Sequence, residues 1–178
     1  MSYEHVPPSK KEKVFRVLVL ATPNVMLSSN IERGTAVEAA IAILACECVA
    51  SPDRTGFGGG FVALIYRHET RKIESLIATE RSPMHSSEKS NAESRIRYVG
   101  VPGMLKGLWE MYIRYETTKS WKHLLHGTLE LARDYVKDNS EVTKTLQGNL
   151  KLSKLINNKK LTETIKILIN NEPKELEY

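Results

Sequence analysis

His123, His126 and Glu130 come nearest, by residue type and spacing, to a metal site in this sequence. Three and then four residues apart, they share one face of a helix. Imidazole and carboxylate together are a zinc donor set. The opposite face carries Leu124, Leu125, Leu129, Ala132 and Tyr135, so the histidine face is the one turned to water and reads as a solvated polar face. Cys46 and Cys48 are the only thiols. Two apart on a helix, they point to different sides, cannot share a disulfide or a metal, and read as core thiols. Gly58-Gly59-Gly60 has the composition of a phosphate cradle. It follows a helix and opens a strand, the reverse of a nucleotide loop, and no Gly-Lys-Ser/Thr follows. Tight backbone approach accounts for it better. No Ser-His-Asp or Cys-His arrangement can be assembled, and no cofactor is implied.

The elements that would position these residues are legible from pattern. Thr35 is suited to cap a helix, with Glu38 at the capping-box position. From Ala36 to Ala50 only Glu38 and Glu47 are charged, and they point to opposite sides, so this helix is apolar nearly all round and belongs in a core. Ser51-Pro52 stops it. Phe61 to Tyr66 is apolar without alternation, which suits a strand covered on both faces. Arg67 to Arg71 is a polar turn, and Lys72 to Ala78 reads as an antiparallel partner strand. Residues 82 to 97 read as a polar loop. Pro102 is placed for the first turn of the next helix, where Met104, Leu105, Leu108, Met111, Tyr112 and Tyr115 form an amphipathic stripe that reads as core. Further helices are expected over Ser120 to Val136, over Ser140 to Leu146, and around Leu161, Ile165, Leu168 and Ile169, the last ended by Asn170-Asn171 and Pro173.

The bulk numbers bound the answer. The chain has 178 residues, 41% hydrophobic and 26% charged, which is globular composition and enough for one domain. The formal net charge is +5. Part of it lies in residues 1 to 13, read as a disordered basic tail before a single domain over 14 to 178. Other basic residues are scattered, with no arginine-aromatic run, so nucleic-acid binding is not expected. Val14 to Ala21 is apolar but broken by Arg16, and a membrane span needs about 20 apolar residues, so the run reads as a strand.

Several stretches resemble one family. Ala36-Val37-Glu38-Ala39-Ala40-Ile41-Ala42, then Gly56-Phe57-Gly58-Gly59-Gly60, are similar to the start of the large subunit of gamma-glutamyltranspeptidase, also called glutathione hydrolase. Gly100-Val101-Pro102-Gly103, Gly107-Leu108-Trp109-Glu110, Trp121 to Leu125, Leu129 to Arg133 and Leu155 to Thr164 continue the likeness in order, over roughly residues 34 to 170. The resemblance implies an α+β fold, part of the αββα arrangement of N-terminal-nucleophile hydrolases, mostly helices with a β-hairpin. It implies gamma-glutamyl hydrolysis or transfer from glutathione through a threonine freed by self-cleavage, whose own amine acts as base. The family's threonine pair precedes a histidine. Here the only pair, Thr117-Thr118, precedes Lys119, so no catalytic residue is assigned and the chain is expected to be a truncated large subunit, inactive alone. The family also holds the glutamyl α-carboxylate with an arginine in a motif of the form A-R-E-x-A-P. The matching stretch is Ala78-Thr79-Glu80-Arg81-Ser82-Pro83, with Thr79 at the arginine position. Arg81, two residues on, points to the same face in an extended chain and is the candidate substrate-binding residue, a solvated loop charge being the other reading. Expected partners are a gamma-glutamyl ligand such as glutathione and a small-subunit or family-member chain. The alternative is a non-catalytic paralogue that binds an active relative or a ligand. The family sits at the plasma membrane or outside the cell, and no clear anchor or signal is read here.

Overall fold

The computed structural model describes residues 34–52, 54–82, 99–136 and 159–171. The tail over 1 to 13, the strand over 14 to 21, the helix over 140 to 146 and nearly all of the loop over 82 to 97 lie outside the described residues. The elements run α1 (Ala36–Ala50), β1 (Phe61–Arg67), β2 (Lys72–Ala78), α2 (Met104–Arg114), α3 (Trp121–Val136) and α4 (Lys159–Asn170).

Each element begins or ends where its residues dictate. Thr35 Oγ1 accepts the Glu38 amide at 3.2 Å, and Glu38 Oε2 accepts the Thr35 amide at 2.6 Å, closing the expected capping box. The α1 core residues Ile41, Ala42, Ala45 and Cys46 are fully buried, as an all-round apolar helix must be. Pro102 falls just before α2 rather than in its first turn, because the helix starts at Met104 with Gly103 as its cap. Ser120 caps α3 through a 3.2 Å bond from the His123 amide. At the end of α4, the Asn170 and Asn171 side-chain amides donate to the Lys166 and Ile167 carbonyls at 2.9 Å, and the Asn171 backbone amide donates to the same Ile167 carbonyl at 3.0 Å.

One core joins the helices. It runs from Val37, Ile41 and Val49 through Leu108 and Met111 to Leu124, Leu125, Leu129 and Ile165. Trp109, Tyr112 and Trp121 form a ring cluster with centroids 5.1 to 5.5 Å apart. The Trp121 indole donates to the Leu168 carbonyl at 3.0 Å, fastening the start of α3 to the end of α4.

The hairpin departs from expectation. β1 and β2 pair antiparallel with Val62 opposite Ile77, Leu64 opposite Ser75 and Tyr66 opposite Ile73. Phe61, Ala63, Ile65, Leu76 and Ala78 face the helices. The other face is open, with Val62 60%, Leu64 74%, Ile73 70% and Ile77 65% exposed. Coverage on both faces is therefore corrected to coverage on one. The apolar run still has a physical meaning, because a strand solvated on one face would alternate. The described residues supply one layer only, and they form a sheet of two strands.

Candidate functional site

The segment after β2 is held by main-chain bonds. The Arg81 amide donates to the Val101 carbonyl at 3.1 Å, and the Val101 amide returns a bond to the Arg81 carbonyl at 2.7 Å. Two residues on, Gly103 caps α2 without a side-chain bond. The Gly59 carbonyl accepts the Gly103 and Met104 amides at 3.1 and 2.9 Å instead. The glycine run thus anchors a helix start through a backbone oxygen. A Cβ at Gly60 would overlap the Ala78 carbonyl, as tight backbone approach requires, and one at Gly103 would overlap the Ala78 and Thr79 carbonyls.

Between β2, residues 79 to 82 and α2 lies a cavity of about 700 Å³. Thr79 and Arg81 both line it, so the structure brings together the two residues that sequence spacing put on one face. From α2, Lys106, Glu110 and Arg114 line the opposite wall. Arg114 Nε lies 2.6 Å from Glu110 Oε2. No carboxylate among the described residues pairs with Arg81 or Lys106. A forked guanidinium and a compact ammonium thus face one cavity, with the Glu110 carboxylate of the same wall engaged by Arg114, and both cations are of types that bind carboxylates. Lys106 was missed in the sequence, although Gly103, Lys106, Gly107, Glu110 and Arg114 recur at helical spacing, a second stripe beside the core stripe.

The other candidates take structural places. His123 and His126 are exposed, and Glu130 is held by Arg133 at 2.5 Å. Among the described residues no group of three or more His, Cys, Asp or Glu could hold a metal. Cys46 and Cys48 are buried and unbonded to each other, and Cys46 Sγ lies 3.3 Å from Thr128 Oγ1 across the α1–α3 interface. Burial, with the nearby Glu47 and Cys46, pushes the Cys48 thiol up to about 12. The Thr118 and Lys119 amides both donate to Glu38 Oε1, the latter at 2.7 Å, and Thr118 Oγ1 lies 3.1 Å from the same oxygen. Thr118 is therefore a tether between the α2–α3 connection and the start of α1.

The model of the family described as gamma-glutamyltranspeptidase matches residues 26–175. The chain belongs to the gamma-glutamyltranspeptidase family. Glutathione hydrolase 5 proenzyme of Rattus norvegicus is 35% identical over 111 residues, 58% of this chain and 19% of that protein. The transpeptidase CapD of Bacillus anthracis superposes with a TM-score of 0.63 at 20% identity, covering 88% of this chain and 59% of that one. The gamma-glutamyltranspeptidase of Pseudomonas nitroreducens gives 0.63 at 21% identity over 86% of this chain and 55% of its own. The fold is thus α+β, part of the N-terminal-nucleophile hydrolase arrangement, as the sequence resemblance implied. The chain spans about a fifth of the length of the curated relatives it matches. Among the described residues no helix is long and apolar enough to cross a membrane.

Proposed function

We propose that this chain is a large-subunit segment of a gamma-glutamyltranspeptidase-type protein. It serves glutathione breakdown only with a second, strand-rich segment and is inactive alone. The observation that carries this is the open apolar hairpin face in a member of that family. Two strands of seven residues present a strip of about 23 by 10 Å, roughly 230 Å², far below the about 800 Å² per partner of a stable interface. A second copy stacked on the strip gains too little, whereas a broad sheet that covers the face and pairs the edges gains more.

In the family reaction a threonine hydroxyl attacks the gamma-glutamyl carbonyl, the amide C–N bond breaks and the amine leaves with a proton, and the resulting ester passes the glutamyl group to water or to another amine. No such threonine is assigned in this chain. Thr118, whose amide and hydroxyl bond to Glu38, is built into a tether. Arg81 holds the α-carboxylate of the gamma-glutamyl group in place of the family arginine, at whose position Thr79 stands. Its support is that Thr79 and Arg81 share one cavity wall and that Arg81 is fixed by two backbone bonds.

Two assays of the whole chain test this. Turnover of a chromogenic gamma-glutamyl anilide should stay at background, and steady hydrolysis would contradict the reading. Glutathione binding by calorimetry should weaken at least tenfold in Arg81→Gln, and equal binding would remove Arg81 from the site. Thr79 favours a second reading, a non-catalytic paralogue that keeps the fold as a binding partner. Thr79→Arg distinguishes them: a preserved gamma-glutamyl pocket should bind glutathione more tightly with arginine restored, and a pure interaction protein should show no change.

A further inference from the structure

Arg81 and Lys106 reach one cavity from different elements, with no carboxylate partner among the described residues. The third cation, Arg114, differs because Glu110 holds it at 2.6 Å. We propose that Lys106 is a second anion anchor, so that the cavity takes a linear ligand with a carboxylate at each end, one on Arg81 and one on Lys106. The inference rests on the reading of Arg81 given above and adds what sits at the ligand's far end.

The chain path sets the span. Arg81 bridges Val101 with both main-chain bonds, which puts their Cα atoms about 5.5 Å apart. From Val101 to Lys106 are two extended and three helical steps, about 11 Å at most. Two long side chains leaning into one groove from such anchors can hold carboxylates about 10 Å apart, the length of an extended tripeptide. The two cations differ in what they demand. The Arg81 fork fixes the orientation of its carboxylate. The Lys106 ammonium is a point charge on a flexible stem and accepts a carboxylate from several directions. One end of the ligand is therefore read strictly and the other loosely.

The test uses the whole chain and three calorimetric probes: glutathione, with two carboxylates; glutathione amidated at glycine, with one; and glutamine, also with one. Glutathione should bind about 5-fold more tightly than its amide. Lys106→Gln should erase that difference while leaving the amide and glutamine unchanged, and Lys106→Arg should restore it. Lys106 is exposed on α2, so the variant should melt with the wild type, which a thermal scan checks. Equal binding of glutathione and its amide, or an equal loss for all three probes in Lys106→Gln, would overturn the proposal while leaving the Arg81 reading intact. Binding of none of the three would overturn both.

Discussion

Glu38 shows how much one residue can organise. Its side chain is fully buried, yet it takes the amides of Thr35, Thr118 and Lys119. Burial alone pushes its carboxyl up, but these hydrogen bonds outweigh it and hold the group below the ordinary glutamate range. The folded state therefore prefers the carboxylate. As pH falls from the ordinary value of about 4.3, the unfolded chain takes up the proton first and this stabilisation is lost. Glu38→Ala should cost about 2–3 kcal/mol in urea unfolding, since it removes a cap and strands buried amides. Glu38→Gln should flatten the stability profile below pH 4.5, and an unchanged acid limb would contradict that role. The capping half of this role was legible from Thr35 and Glu38 three apart. The Thr118 half was not, because contact between residues 80 positions apart leaves no local pattern. Cys48 gives a second expectation at this scale. With its thiol pushed up to about 12, it should resist alkylation at pH 8 until the chain unfolds, and rapid labelling of native protein would contradict its burial.

At the scale of elements, helix and strand positions followed from periodicity, and the covering of the hairpin did not. An apolar run states that a strand has two covered faces, without stating which segment covers them. The close approach of α2 to β2 rests on Gly103 and Gly107, which were read in the sequence only as part of the family likeness. A Cβ at Gly107 would overlap Ala78 and the Phe61 ring. Gly107→Val should therefore destabilise by about 1–3 kcal/mol, read from urea midpoints, and a neutral result would mean that the helix can lift from the sheet. A second clasp joins the hairpin to the far end of α2. The Tyr115 hydroxyl donates to Glu74 at 2.8 Å. Arg67 Nε lies 2.9 Å from the same carboxylate without aiming its N–H at it, an ion pair rather than a hydrogen bond. Arg67 also sits 5.1 Å from the centre of the Tyr115 ring. Burial first, then the Glu74 carboxylate, raises the Tyr115 hydroxyl. These contacts hold β2 beside α2, where the cavity lies. The cavity escaped sequence reading because Lys106 and Arg114 look like ordinary solvated charges until the strand edge is placed beside them.

At the scale of the whole molecule, the helices cover one side of a hairpin whose other side is apolar and open. A patch that includes Val62, Leu64, Ile73 and Ile77 is a liability in water unless something covers it. The second strand-rich layer proposed above is the cover this face calls for. The most direct test is the native mass of the tagged chain in extracts of its source cells, beside the double variant Leu64→Lys, Ile77→Lys. Both changes are on the open face, so the variant should melt within a few degrees of the wild type. The wild type should run well above its own 20.1 kDa, and the variant should fall back to that mass. A wild-type chain that runs alone at monomer mass and melts sharply would contradict the account, because the open face would then need no cover.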